Sequence, residues 1–471
     1  MVETPHGEYH PQATGTCGES CQQCLRVCPF SNVHGQDEES LGQARFAADA
    51  ACTRDEILGW VRDTYAGGLA DEAQRLAAPS GGLTTAVLCH LLESGEVDAA
   101  IVLHPLAERP WYRFCIAETS EQIRASRGSV YHTAPLDKVI AEVLSGPQRK
   151  YAVVALPCVA KALRLAQARW PALHRRIAYV LGLTCSGQRS LFFPELLMSL
   201  MGASAGLLRY RSKRYARTSR DYRAELQCGP SVRSVRMLGL CGYLWVNAVG
   251  RFKSCLFCDD VFAELADATF MDAWLPEYRP DRRGTNLVVS RNARLSAILE
   301  SLFESGQCEG GRIAAEKVIQ SQIGVVRQRR EGLAARCLAA EQAWGYAPRK
   351  RTPPSTPSPD ARQRRQALRD LAYFQAVRTA LGRFHTARGA KGGWPARLRA
   401  WRLCAKVLWL ASRYGLLART WQAWKQAASQ RAGADSPPRI AATARAVGDP
   451  VVRPGPDSPH SQEQPGQVEP Q

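Results

Sequence analysis

Four cysteines fall within twelve residues near the start of this chain. Cys17, Cys21, Cys24 and Cys28 are spaced C-x3-C-x2-C-x3-C, and Pro29 follows the last directly. So tight a set cannot be shared out among separate strands and helices. One loop must carry all four thiols around a common centre, and the proline turns the chain away from it. Residues 1–40 are polar, rich in Cys and Gly and short of apolar periodicity, which predicts loop. Clustered thiols form disulfides or bind metal. The N-terminus MVETPHGEYHPQ has no basic n-region and no apolar h-region, so no secretory signal is expected. The expected location is cytoplasmic, where thiols stay reduced and clustered cysteines bind metal.

A bacterial ferredoxin run reads C-x2-C-x2-C-x3-C-P, one residue shorter in the first gap. Zinc commonly takes two well-separated Cys pairs rather than four ligands in one short loop. Spacing and the terminal Cys-Pro therefore favour a 4Fe–4S cluster on Cys17, Cys21, Cys24 and Cys28 over zinc.

A second set is dispersed. Cys255-Leu256-Phe257-Cys258 is a C-x2-C pair followed by Asp259 and Asp260. Partners for that pair are Cys158 and Cys185, each just after an expected parallel strand, where open α/β sheets collect ligands. On spacing alone this reading stands level with the alternative that both are small buried hydrophobes. Cys228 and Cys241 are rival partners. Cys52, Cys89, Cys115, Cys308, Cys337 and Cys404 have no companions and read as packing residues.

From about 41 to 335 strands and helices alternate. Ala99–Leu103, Tyr151–Ala155, the IAYVLGL run leading to Cys185, Ala268–Met271 and Leu287–Ser290 read as strands. Leu83–Leu92 and Leu136–Leu144 read as helices. The pattern predicts an α/β fold with a largely parallel sheet, and residues 205–250 a β-rich excursion. The expected divisions are 1–40 (ferredoxin-like segment), 41–145 and 146–340 (two α/β regions), 348–366 (Pro/Ser/Arg linker), 367–431 (basic helical appendage) and 432–471 (disordered tail). Helix is expected from about Ala367 to Leu381, with Gly382 as its stop, and again from about Pro395 to Arg431.

The chain of 471 residues has a net charge of +19, which suggests nucleic acid. The charge is unevenly placed, however. Residues 341–471 hold 22 Lys and Arg against 8 Asp and Glu, while the first 340 hold 40 against 35. Trp394, Trp401, Trp409, Trp421 and Trp424 share a segment with Arg397, Arg399, Arg402, Lys406, Arg413, Arg419 and Lys425. Packing of these helices on the core is ranked first. A peripheral contact with an anionic inner-membrane surface through 394–431 is second, and nucleic acid is third. No apolar run long enough to span a membrane is present. No Ser/His/Asp arrangement or H-E-x-x-H pair stands out, so hydrolysis has little support.

The ordered motifs resemble the coenzyme F(420) hydrogenase/dehydrogenase beta-subunit family of iron–sulfur flavoproteins, to which 7-hydroxymethyl chlorophyll a reductase is related. The ferredoxin-like Cys17–Pro29 comes first. Ser80-Gly81-Gly82 before a helix, Gly128-Ser129-Val130-Tyr131 and Leu156-Pro157-Cys158 follow. Leu183-Thr184-Cys185, Cys255–Asp259, Ala266–Asp272 and Gly284-Thr285-Asn286 complete the series. The chain departs from the family at Ala155-Leu156, where Gly-Thr is usual, and at Met271, where Gly is frequent.

The resemblance implies an electron-transferring oxidoreductase with FAD and one or two 4Fe–4S clusters, acting on coenzyme F(420) or another organic substrate. It implies Cys158, Cys185, Cys255 and Cys258 as a second cluster. It also implies Ser80, Gly81, Gly82, Gly128, Ser129, Tyr131, Pro157 and Asp272 at the flavin. Partners would be ferredoxin or another subunit, together with a small-molecule donor or acceptor. Two other function classes stand beside this one: a non-catalytic electron-transfer subunit of a larger complex, and a zinc-containing nucleic-acid-binding protein. Flavin content separates the first reading from the zinc protein. Turnover with artificial donors separates it from the carrier subunit.

Overall fold

The computed structural model describes residues 1–13, 15, 17–18, 21–33, 35–237, 241–350, 359–387 and 394–416. Two short antiparallel pairs come first: β1 (Val2–Glu3) with β2 (Tyr9–His10), and β3 (Thr53–Asp55) with β4 (Gly59–Val61). The central sheet has eight strands. They are β5 (Asp63–Leu69), β6 (Ala99–Pro105), β7 (Tyr112–Ala117), β8 (Tyr151–Ala155), β9 (Ile177–Leu183), β13 (Ala268–Asp272), β14 (Asn286–Ser290) and β15 (Cys308–Arg312), in the order β15-β5-β14-β13-β9-β8-β6-β7. Strands β10 (Leu207–Ser212), β11 (Arg223–Cys228) and β12 (Ser231–Arg236) form a separate antiparallel sheet, the expected β-rich excursion.

The four central strands β13, β9, β8 and β6 run parallel, while both flanks are antiparallel. The parallel strands read as apolar runs, YAVVA and IAYVLGL, because helices cover both faces. Strands β5 and β15 escape the sequence pattern. DTYAGGL and CEGGR each carry two glycines, which weaken strand propensity. Regions 41–145 and 146–340 both contribute strands to this one sheet.

The C-terminal helices pack into the molecule. Tyr373, Val377, Leu381 and Phe384 of helix Ala361–Ala387 are buried in one cluster with Phe192, Phe193, Leu196 and Leu197 of helix Phe192–Leu200. So are Ala400, Leu403, Cys404 and Val407 of helix Trp394–Arg413. This is the packing ranked first from sequence. Helix Ala361–Ala387 starts inside the expected linker and continues through Gly382, so Gly382 does not stop it. Its buried aromatic stripe outweighs the roughly 1 kcal/mol that an interior glycine costs. Residues 351–358, Leu417, Arg419, Trp421, Trp424, Lys425 and the expected tail 432–471 lie outside the described residues. Among the described residues, no helix is long and apolar enough to cross a membrane.

Candidate redox site at the carboxyl edge of the sheet

Strands β8 and β9 lie side by side in parallel, with Ala155 opposite Gly182. Both therefore end on the same edge. After β8, Pro157 takes the first position of helix Pro157–Gln167, where its missing N–H and fixed φ cost nothing, and Cys158 follows. After β9 comes Thr184-Cys185. Cys255 sits in the short turn Ser254–Leu256, with Cys258 just beyond it. Backbone N–H groups point at two of the sulfurs: Gly187 N donates to Cys185 Sγ at 3.3 Å, and Gln188 N to Cys255 Sγ at 3.4 Å.

The structure brings these four cysteines into mutual electrostatic reach. Burial pushes the Cys158 thiol well up, and the sulfurs of Cys258, Cys185 and Cys255 push it further. Burial likewise raises Cys185, and it takes Cys258 to about 12. Facing them is Arg329, 4 % exposed. Burial opposes its charge, yet Cys258, Cys255, Cys185 and Cys158 together hold its pKa up. Arg189 and Arg251 stand beside it.

Gly187, at φ +128°, is where the three guanidinium groups meet. A Cβ there would lie 3.3 Å from Arg189 Nη1, 3.3 Å from Arg329 Nη2 and 3.4 Å from Arg251 Nε. Burial and Arg251 pull the Arg189 pKa far down, while enclosure and Arg329 lower Arg251 to about 10. Arg189 Nε, Arg251 Nε and Nη2, and Arg329 Nε are buried without a hydrogen-bond partner among the described residues. Three like charges with orphaned donors are costly in a low-dielectric interior unless an anion sits among them. A 4Fe–4S cluster with four thiolates is such an anion, so this donor set fits one. Among the described residues, no group of three His, Cys, Asp or Glu side chains has the spacing of a single metal ion.

Cys228 and Cys241 do not join this set. Cys228 Sγ donates to Ala205 O at 3.4 Å on the small sheet, and Cys241 is buried with Cys404 as its nearest thiol neighbour. Cys52, Cys89, Cys308, Cys337 and Cys404 are buried and Cys115 is partly buried, as packing residues are.

The N-terminal run is placed differently. Cys17, Cys21 and Cys24 are exposed and Cys28 is partly buried. Cys24 lies on the short helix Gln23–Val27, which packs against helix Pro157–Gln167, the helix that begins beside Cys158. A strap at 346–350, which overlaps the start of the expected linker at 348, joins the two regions. Tyr346 Oη donates to Phe30 O at 2.5 Å, Asn32 Nδ2 to Ala347 O at 3.1 Å, and Arg349 N to Asn32 Oδ1 at 2.6 Å. Lys350, 4 % exposed, pairs with Asp259 at 3.2 Å, next to Cys258.

The loop Gly128–Tyr131 connects the cysteines to a cavity. Arg189 N donates to Tyr131 O at 3.0 Å, Thr133 N to Arg189 O at 2.9 Å, and Gln188 Nε2 to His132 O at 3.2 Å. The Tyr131 ring meets Trp245 at 4.9 Å and Tyr210 at 5.1 Å, and Trp245 lies 3.7 Å from the Arg189 guanidinium. On the far side of Tyr210 is a cavity of about 490 Å³, lined by Gly128, Ser129, Arg127, Arg209, Arg211, Lys213, Arg214 and Arg282, with Glu225 as its one acid. Six cations around a ligand-sized space favour a polyanion. Lys213 Nζ donates to Arg75 O at 2.8 Å, to Ser80 O at 2.7 Å and to Arg283 O. Burial and Arg211 lower its pKa to about 7.

The other expected flavin contacts have local roles. A Cβ on Gly81 would lie 2.5 Å from Gly67 O and 2.7 Å from Asn286 N, so close approach to the sheet demands glycine there. Gly82 is the N-cap of the following helix; Asn286 Oδ1 accepts from Leu83 N at 3.1 Å, and Ser80 Oγ donates to Thr285 O at 3.1 Å. Asp272, at the carboxyl end of β13, pairs with Arg211 of the cavity. Pro157 serves the helix start beside Cys158. Arg189, Arg251, Arg329 and Lys350 escaped the sequence reading, because nothing in the spacing of single Arg and Lys residues marks convergence.

Known proteins share this arrangement of chain. Two family models describe the beta subunits of coenzyme F420 hydrogenase/dehydrogenase. The model of their N-terminal part matches residues 64–141, and the model of their C terminus matches residues 148–316. The chain belongs to this beta-subunit family. The F subunit of the F(420)H(2) dehydrogenase of Methanosarcina mazei is 28 % identical over 168 residues, 36 % of this chain and 40 % of its own length. The beta subunit of the coenzyme F420 hydrogenase of Methanothermobacter thermautotrophicus is 26 % identical over 116 residues, 24 % of this chain and 40 % of its own. The match thus spans 40 % of either curated relative's length. A chain of the F420-reducing NiFe hydrogenase complex from Methanosarcina barkeri superposes with a TM-score of 0.50 at 18 % identity, covering 64 % of the present protein and 99 % of that chain. That likeness is one of fold.

Proposed function

We propose that this chain is an iron–sulfur flavoprotein oxidoreductase subunit. In this reading Cys158, Cys185, Cys255 and Cys258 hold one 4Fe–4S cluster and Cys17, Cys21, Cys24 and Cys28 another. The loop Gly128–Tyr131 and the cations of the cavity would hold FAD. When bound, the clusters supply single electrons and the flavin supplies two-electron hydride chemistry. The observation that carries the reading is the convergence of Arg189, Arg251 and Arg329 beside four partly buried thiols.

The chain's own residues prepare this chemistry. The arginines neutralise the anion that the thiolates create. Gly187 N and Gln188 N orient two sulfurs. Tyr131 and Trp245 stand between the cysteine side and the cavity, and Arg211, held by Asp272, faces an anionic ligand. The organic substrate is coenzyme F(420) or a related acceptor, and the protein partner is another redox subunit or ferredoxin. Both follow from the relatives' names and from family membership.

Anaerobic purification with iron, acid-labile sulfide and flavin analysis tests the reading. Iron and sulfide in equal amounts with FAD are expected. A reconstituted preparation holding zinc, with neither iron nor flavin, overturns it. Reduction of coenzyme F(420) by the isolated chain with an artificial donor separates an enzyme from a carrier subunit.

A further inference from the structure

Helix Trp394–Arg413 has two apolar faces. One, formed by Ala396, Ala400, Leu403, Cys404, Val407, Leu410 and Ala411, is buried against the body of the protein. The opposite face should be polar in a helix that simply packs on a globular core. Instead it presents Trp401 at 55 % exposure, Leu408 at 49 %, Trp409 at 47 % and Leu398 at 41 %. These four lie on one side of the helix at steps of three, seven and one residues. Arg402, Lys406 and Arg413 flank them. The Lys406 ammonium lies 3.7 Å from the Trp409 ring centroid and the Arg413 guanidinium 5.4 Å from it. The helix contains no acidic residue.

We propose that this outer face docks on an anionic membrane surface. Tryptophan and leucine enter the boundary between headgroups and acyl chains, and the long cationic side chains reach back to the lipid phosphates. Charge separates this occupant from a second copy and from the chain's own following segment. A second copy would bring an equally cationic face against this one. Residues 417–431 carry Arg419, Lys425 and Arg431 and no acid, so that segment is like-charged too. An anionic surface complements the patch, and each Lys or Arg near it adds about 1 kcal/mol. The contact is peripheral, since this helix is not apolar enough to span. Its buried face fixes the body of the protein on the side away from the lipid.

The test is sedimentation of the full chain with vesicles of phosphatidylcholine containing phosphatidylglycerol, beside vesicles of phosphatidylcholine alone. Binding to the anionic vesicles only, weakened by salt, is expected. A Trp401→Ser/Trp409→Ser variant should lower partitioning at least about tenfold, and Arg402→Gln/Lys406→Gln should remove the preference for anionic lipid. These side chains are exposed, so circular dichroism and cofactor content should match wild type. Absence of sedimentation with anionic vesicles, or equal partitioning of the tryptophan variant, overturns the proposal. So does a wild-type dimer that the tryptophan variant converts to monomer, since a second copy would then cover the face.

Discussion

The two cysteine sets invert the usual relation between motif and structure. The N-terminal set is conspicuous in sequence and lightly built: three of its four residues are exposed, on a short helix and loops. The dispersed set draws on three distant segments, yet it is partly buried throughout, faces three arginines and gathers at the edge of paired parallel strands. A close-spaced run needs no fold to gather its thiols. A dispersed set has only the fold to gather it, so its surroundings must be fixed with care. The sheet edge therefore bears the cost of concentrating charge.

The largest expected effect breaks this comparison if it fails. Cys255→Ala/Cys258→Ala should lose about half of the bound iron and also destabilise the core strongly, because the arginines lose their counter-charge. Cys21→Ala/Cys24→Ala should lose a similar amount of iron with little change in Tm. Iron analysis and thermal unfolding of both variants measure the asymmetry. Equal Tm losses would show that both sets are structural to the same degree.

The strap that ties the two regions comes next. Lys350→Met removes the ammonium facing Asp259 in a pair where both partners are almost fully buried. The expected cost is about 3 kcal/mol, the low end for breaking a buried pair, read by denaturant unfolding. Lys350→Met/Asp259→Asn should recover most of it. A loss below about 0.5 kcal/mol for the single variant would mean that the strap does not hold the two regions together.

Much of the parallel core was legible because YAVVA and IAYVLGL are apolar runs bounded by turns, and that placed Cys158 and Cys185 on one edge. Their convergence with Cys255 and Cys258 was not legible from spacing, since no local rule links positions so far apart. The arginines were hidden for a further reason. In a chain with 62 Lys and Arg, three of the Arg carry no signal until the fold buries them together. Strand Cys308–Arg312 was missed because CEGGR has two glycines and a single apolar side chain, too few to form a pattern. The strap was missed because Pro348 and its basic neighbours look like linker, and only the tertiary contacts of Lys350 show otherwise.

Arg251→Met sharpens the electrostatic side of the comparison through a change of sign. Without a cluster, Arg251 is one of three like charges that burial penalises, so its removal should stabilise the apo chain by about 1–2 kcal/mol. With the cluster bound, the same variant should destabilise the protein and move the cluster midpoint potential to more negative values, because a cation favours the more negative reduced form. Denaturant unfolding of both states and a redox titration followed by electron paramagnetic resonance give the two signs. The same sign in both states would mean that no anion compensates the arginines.

The smallest effect concerns the cavity, where Lys213 titrates near neutrality. Its folded pKa of about 7 lies below the ordinary lysine value, because burial and then Arg211 disfavour the charge. Below pH 7 the ammonium contributes to the attraction of a phosphate-bearing ligand; above it, that contribution fades. The pyrophosphate of FAD stays ionised throughout, so FAD affinity should fall about three- to tenfold between pH 6 and pH 8, read by fluorescence titration of the apo chain. Apo stability should move the other way. Between about pH 7 and the unfolded pKa, the unfolded chain binds the proton more strongly, so stability rises with pH. Lys213→Met should flatten both profiles. A wild-type affinity that does not change from pH 6 to pH 8 would place the titration of Lys213 outside that window, with its charge held by the carbonyls of Arg75, Ser80 and Arg283 rather than lost to burial.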